Sequence, residues 1–290
     1  MRIKDWATGY LLILPAAAVL AAFTHVPIVR TVYDSLFSRG SAIRPARFVG
    51  FGNFETLAAD PVFWKVLGNN LVFALGTVPA SIALALAMAL LVDRKLRGRG
   101  VLRLAYSLPT MLPMVAAANL WLFFYTPGIG LLDQILGAFG ASGRNWLGDP
   151  ATVLPCLIAM TVWKEAGFFM IFYLAALQTQ PPELKEAARL EGAGRWTYFR
   201  RVLFPMLMPT TMFVLINAVL NAFKLVDHLF VLTKGGPSNA SNLLLYYIFE
   251  HAFAFNDLPM AAALTVVLLG LLAILAVSQF VFLDKRVHYR

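Results

Sequence analysis

Three polar side chains within one apolar stretch, Asn217, Asn221 and Lys224, recur at i, i+4 and i+7, which places them on one helix face. Asp227 lies three residues beyond Lys224, within reach of an ion pair. Such a stripe suits two roles. It can form the polar wall of a path for a hydrophilic solute, or it can hold helices together by hydrogen bonds worth roughly 0.6–2 kcal/mol each. Asn119, Trp121 and Tyr125 add a second cluster. It can stack on and hydrogen-bond a sugar, or sit as an aromatic belt at a membrane interface. Asn70, Thr77 and Ser81 suit helix packing. Lys164 and Glu165 are adjacent, cannot share a helix face, and each needs its own partner.

Catalytic chemistry finds little support. There is no G-x-x-x-x-G-K-[ST] loop to cradle phosphates and no H-E-x-x-H pair for a metal. Cys156 is the single cysteine, which excludes an internal disulfide and a multi-cysteine metal site. His25, His228, His251 and His288 are scattered. No metal site and no cofactor on this chain are expected.

The elements that position these residues follow from composition. Of 290 residues, 60% are hydrophobic and 13% charged, with a mean hydropathy of +0.72. A soluble domain carries about 25% charged residues, so an all-α polytopic membrane protein is expected. Crossing a hydrocarbon core takes roughly 20 apolar residues as helix. Six stretches qualify, at about 6–29, 66–92, 101–125, 151–177, 204–232 and 259–283, all within one domain covering 1–290. Pro109 and Pro113 are expected to kink the third. The first follows a basic start, Arg2 and Lys4, as a signal peptide would. Its apolar run is too long for most signal peptides, and an uncleaved span is expected.

The net charge of +9 reflects topology, not nucleic acid. With the N-terminus inside, fifteen Lys and Arg face the cytoplasm: Arg2, Lys4, Arg94, Lys95, Arg97, Arg99, Arg103, Lys185, Arg189, Arg195, Arg200, Arg201, Lys285, Arg286 and Arg290. Seven face outward: Arg30, Arg39, Arg44, Arg47, Lys65, Arg144 and Lys234. This bias places both termini in the cytoplasm.

The inner stretch 178–205 is the most patterned loop. Pro181 and Pro182 open a helix, Glu183 and Glu186 lie near its positive end, and Gly192 suits a left-handed terminus. By periodicity alone it is an interfacial connector or a docking element. Glu186-Ala187-Ala188, Gly192 and Pro205 resemble the E-A-A-x-x-x-G-x9-I-x-L-P motif of binding-protein-dependent ABC importer permeases, with Val202 for Ile and Phe204 for Leu. Further stretches resemble the sugar and glycerol-phosphate branch of that family, which includes the maltose permeases. They are Phe51-Gly52-Asn53-Phe54, Asn145-Trp146-Leu147, Leu232-Thr233-Lys234-Gly235-Gly236-Pro237, and the tail Lys285 to Tyr289.

The resemblance implies a six-span type I ABC importer permease fold in a bacterial inner membrane. It implies a second permease subunit, two ATPase subunits that bind ATP and Mg, and an extracytoplasmic solute-binding protein. The solute would be a carbohydrate, polyol, glycoside or glycerol-phosphate-like compound. It further implies coupling to the ATPase through Glu186, Ala187, Ala188, Gly192 and Pro205. The pathway would run past Asn217, Asn221, Lys224, Asn119 and Tyr125, and Gly235, Gly236 and Pro237 would meet the binding protein. A stand-alone secondary carrier is the alternative. It needs substrate and ion sites in one chain, commonly in inverted repeats, and no internal repeat is visible.

Overall fold

The computed structural model describes residues 3–40, 45–94, 97–140 and 143–284. Expectations about Arg2, Arg44, Lys95 and the tail from Lys285 lie outside these. The fold is helical throughout, as expected, and the chain divides into two compact units, 1–63 with 247–271 and 64–246 with 272–290.

The first unit begins with α1 (Ile3–Leu20), which runs through a π-helical turn (Ala21–His25) into α2 (Val26–Asp34). Pro27 has no amide hydrogen for the helical ladder, which favours such a register change. The span Gly9–Asp34 buries none of its apolar window within the chain. Asn53, at the start of α3 (Gly52–Ala59), donates to Ser35 O at 2.7 Å and to Phe37 O at 2.8 Å. This asparagine thereby fixes the chain where the first apolar helix ends. Asp60 accepts the Val62 amide at 2.8 Å and caps α4 (Pro61–Val92), whose proline occupies the first helical position. α4 therefore starts five residues before the apolar stretch at Val66, and Asp60-Pro61 was the signal for it.

In the second unit the third span departs from expectation. Pro109 and Pro113 do more than kink it. α5 (Arg99–Met111) and α6 (Met114–Phe124) meet at 103°. The residue before a proline is pushed out of the helical region, and Leu112 accordingly has ψ 134°. After the short α7 (Leu131–Ala138) comes α8 (Val153–Gln178), with half its apolar window buried. Gly167 of α8 lies so close to α5 that a Cβ there would run into Tyr106 O.

The loop after α8 forms α9 (Pro182–Leu190) and α10 (Arg195–Tyr198). A π-helical turn (Phe199–Leu203) and α11 (Phe204–Met206) lead into α12 (Met208–Lys224). The fifth span was expected to be continuous over 204–232. It breaks after Lys224, where Leu225 is extended, and resumes as α13 (Asp227–Leu232). The expected i, i+3 ion pair of Lys224 with Asp227 is therefore not formed. Both side chains are exposed. α14 (Leu244–Phe249) and α15 (Leu258–Asp284) complete the chain.

Candidate functional site

Polar groups inside the second unit gather where α4, α8 and α12 meet. Thr77 and Ser81 of α4, Thr161 and Glu165 of α8, and Asn221 of α12 line one cavity with Phe169 and Ala218. It offers about 10 Å³ for the centre of a water molecule, enough for roughly one. Asn221 Nδ2 donates to Glu165 Oε2 at 2.7 Å. Thr161 Oγ1 is buried without a partner. Asn70 donates to Ala222 O at 3.3 Å and accepts the Leu244 amide at 2.9 Å, so it joins three segments as a packing polar residue.

The stripe on α12 divides. Asn221 is tied across to α8, whereas Asn217 bonds back to Phe213 O of its own helix at 2.7 Å and Lys224 is exposed. The aromatic cluster divides as well. Asn119 is exposed and bonds back to Val115 O, while Tyr125 is 2% exposed and donates to Cys156 O at 2.8 Å. Tyr125 was grouped with the pathway from sequence. Here it is a packing residue between the end of α6 and α8, and its hydroxyl hydrogen is taken.

Helix α9 is finished by a Schellman arrangement. Gly192 lies at φ +74°, its amide bonds Arg189 O at 3.0 Å, and the Ala193 amide bonds Ala188 O at 2.9 Å. Ala188 is buried against its own chain, while Glu183, Glu186, Ala187 and Leu190 are exposed. These four recur at i, i+3, i+4 and i+7 and share a face. Leu190 is 90% exposed, and sequence reasoning passed over it, although it lies one turn after Glu186. Pro205 is exposed in α11, at the entry to the fifth span.

The Gly235-Gly236-Pro237 loop is pinned from α4. Lys65 donates to Ser238 O at 2.7 Å, and Asn69 to Asn239 O at 2.7 Å and Asn242 O at 3.0 Å. Gly235 lies at φ +78°, a conformation that strains any other residue, and a Cβ there would come within 3.1 Å of Asn242 Cγ. Lys65 and Asn69 were missed because their partners lie about 170 residues away in sequence.

The 126–150 loop is organised by Asp133. Its carboxylate accepts the Gly128 amide at 2.7 Å and the Trp146 indole at 2.7 Å. These donors, the Gly128 amide first, hold its pKa below the ordinary carboxylate range. A lowered folded pKa contributes stability that is complete above the unfolded value and is lost as pH falls through the folded one. Acidifying the medium that bathes this loop should therefore speed amide exchange at Gly128 beyond the intrinsic rate change. Asp133→Asn should show the loosened loop already at neutral pH, with little further pH dependence.

Among the described residues no cluster of three His, Cys, Asp or Glu is placed to hold a metal. Among the described residues the arrangement combines up to six apolar spans, the third and the fifth of them broken, with small polar groups inside the second unit and an exposed capped helix in the loop after α8.

Residues 81–289 match the family model for the binding-protein-dependent transport system inner membrane component. The chain belongs to this family. It is a multi-pass inner-membrane ABC transporter permease, similar to members of the sugar and glycerol-phosphate branch. It is 33% identical to the sn-glycerol-3-phosphate transport permease UgpA of Agrobacterium fabrum, over 97% of this chain and 96% of that one. It is 34% identical to the lactose transport permease LacF of Rhizobium radiobacter, over 94% and 92%. It is 32% identical to the sulfoquinovosyl glycerol transport permease SmoG of Agrobacterium fabrum, over 93% and 88%. The permease also shares its fold with a chain from the crystal structure of a bacterial alginate ABC importer, at a TM-score of 0.82 and 23% identity, covering 97% of this chain and 96% of that one.

Proposed function

We propose that this permease is one of two membrane subunits of an ATP-driven importer. The solute is a carbohydrate, polyol, glycoside or glycerol-phosphate-like compound, delivered by an extracytoplasmic binding protein. Two ATPase subunits bind ATP and Mg on the cytoplasmic side, and this chain hydrolyses none. Both termini lie in the cytoplasm, in line with the distribution of Lys and Arg.

The observation that carries this reading is α9. A soluble-facing helix that exposes Glu183, Glu186, Ala187 and Leu190 is suited to a groove in a partner. Small Ala187 permits close approach, Glu186 supplies charge, and Leu190 supplies apolar area. The Gly192 terminus fixes the angle at which α9 joins α10 and the fifth span, so docking at α9 can move the spans as a rigid body. The polar residues Asn119 and Lys224, both exposed, and the half-buried Asn217 are the pathway candidates. Asn221 and Tyr125 support the wall from behind. The pinned outer loop around Gly235, Gly236 and Pro237 is the surface offered to the binding protein. The names of the relatives support the solute class.

The purified single chain should turn over no ATP. Assembled with the ATPase and second permease, it should support hydrolysis that solute-loaded binding protein stimulates. Robust turnover by the single chain contradicts the subunit reading.

A further inference from the structure

Lys164 has no place in the pathway or the docking helix, yet it is 9% exposed at the centre of the bundle. Its Nζ donates to Leu112 O at 2.6 Å and Pro109 O at 3.1 Å. Those carbonyls belong to the end of α5, where the third span breaks. The final turn of a helix leaves its carbonyls without intrahelical donors, and Pro113 supplies no amide. Within a bilayer such groups are costly unless the protein satisfies them. An ammonium meets the need twice, as donor and as a cation at the negative helix end.

The surroundings make α8 a brace for both arms of the break. One turn beyond Lys164, Gly167 lets α8 lie against Tyr106 O of α5. Trp163 packs edge-on to Trp121 of α6, with ring centroids 5.7 Å apart. The next residue in sequence, Glu165, turns away to accept from Asn221 of α12. The adjacent opposite charges thus join α8 to two different spans. One of them, α12, leads up from the cytoplasmic loop that contains α9.

We propose that Lys164 is a positioning residue that sets the angle between α5 and α6 and so places Asn119, on α6, for transport. This rests on reading the chain as an importer permease. Lys164 acts through the bend and does not touch solute.

The test uses the full chain with its co-expressed partners in lipid nanodiscs and vesicles, in a Cys156→Ser background. Spin labels go on the exposed positions Val101 of α5 and Phe123 of α6, and their separation is measured by pulsed electron resonance. Lys164→Met keeps the apolar stem and removes the donors; Lys164→Arg keeps charge and donors. The expected result is a shifted or broadened separation in Lys164→Met and recovery in Lys164→Arg. Uptake is followed with whichever of radiolabelled sn-glycerol 3-phosphate, lactose or trehalose the wild-type complex imports. Its maximal rate should fall roughly two- to thirtyfold in Lys164→Met, with the half-saturating concentration of loaded binding protein unchanged.

An unchanged separation in Lys164→Met overturns the clamp. A changed separation with wild-type uptake overturns its role in transport. If Lys164→Met fails to assemble, Pro113→Ala serves instead. The amide it restores can bond Pro109 O and compete with Lys164, so the separation should lengthen; an unaltered bend there also overturns the clamp. The distance arm requires no solute, so failure of the importer reading is seen separately, as absence of wild-type uptake.

Discussion

Ala187→Trp and Glu186→Lys should each yield a chain that inserts into the membrane but has lost solute uptake. Both side chains are exposed on α9, so neither substitution disturbs the chain's own packing. Added bulk in a close-packed groove costs about 1–3 kcal/mol, which corresponds to roughly five- to hundredfold weaker docking. Ala188 is a poorer probe although it belongs to the same motif. It is buried within the chain, so Ala188→Trp would strain the loop itself. Gly192→Val acts by a third route. A Cβ at Gly192 meets no atom within 4 Å, so the penalty is purely conformational. A left-handed backbone costs an L-residue roughly 1–2 kcal/mol, and more when it is β-branched. Co-purification of the ATPase and vesicle uptake should be measured together. Normal docking and uptake in both Ala187→Trp and Glu186→Lys would reduce α9 to a connector.

Gly167→Ala should destabilise the chain even though alanine is the better helix former. In a mid-helix position the exchange would normally gain about 0.5–1 kcal/mol. At Gly167 the new methyl meets Tyr106 O, a backbone atom that cannot swing aside, and Thr110 Cγ2 at 3.1 Å. Overpacking of this kind costs about 1–3 kcal/mol, so the steric term wins. Cys156 provides the readout, because a buried single thiol reacts with a maleimide dye only as the fold opens. The midpoint of thermal labelling should fall for Gly167→Ala. It should hold or rise for Gly270→Ala, where a Cβ meets no atom within 4 Å. A midpoint for Gly167→Ala at or above wild type would refute the tight α5–α8 crossing.

Hydrophobicity alone marked the long apolar helices, because a run of about 20 apolar residues has few destinations other than a membrane span. The loop 178–205 was legible for a similar reason. Pro181-Pro182 and Gly192 are local punctuation, and α9 lies between them as read. The breaks were harder. Two prolines announced a disturbance in the third span, but its 103° angle depends on Lys164 and Gly167, both more than fifty residues away. The break after Lys224 had no proline or glycine to mark it, and the expected pairing with Asp227 failed with the helix that would have carried it. Tyr125 was assigned by residue type, and nothing local indicated that its hydroxyl would be taken by Cys156 O. Glu165 and Asn221 were each visible as polar residues in apolar spans. That they are partners is a long-range fact.

The central claim is that this permease imports solute only as part of an ATP-driven assembly. Proteoliposomes containing this chain, the second permease and the ATPase test it most directly. Radiolabelled sn-glycerol 3-phosphate, lactose and trehalose are offered with the binding protein outside and ATP and Mg inside. The account predicts uptake of at least one such solute, abolished when the binding protein, the ATP or this chain is left out. Uptake that persists without ATP and binding protein, driven by an ion gradient across vesicles holding this chain alone, would contradict it and identify a secondary carrier.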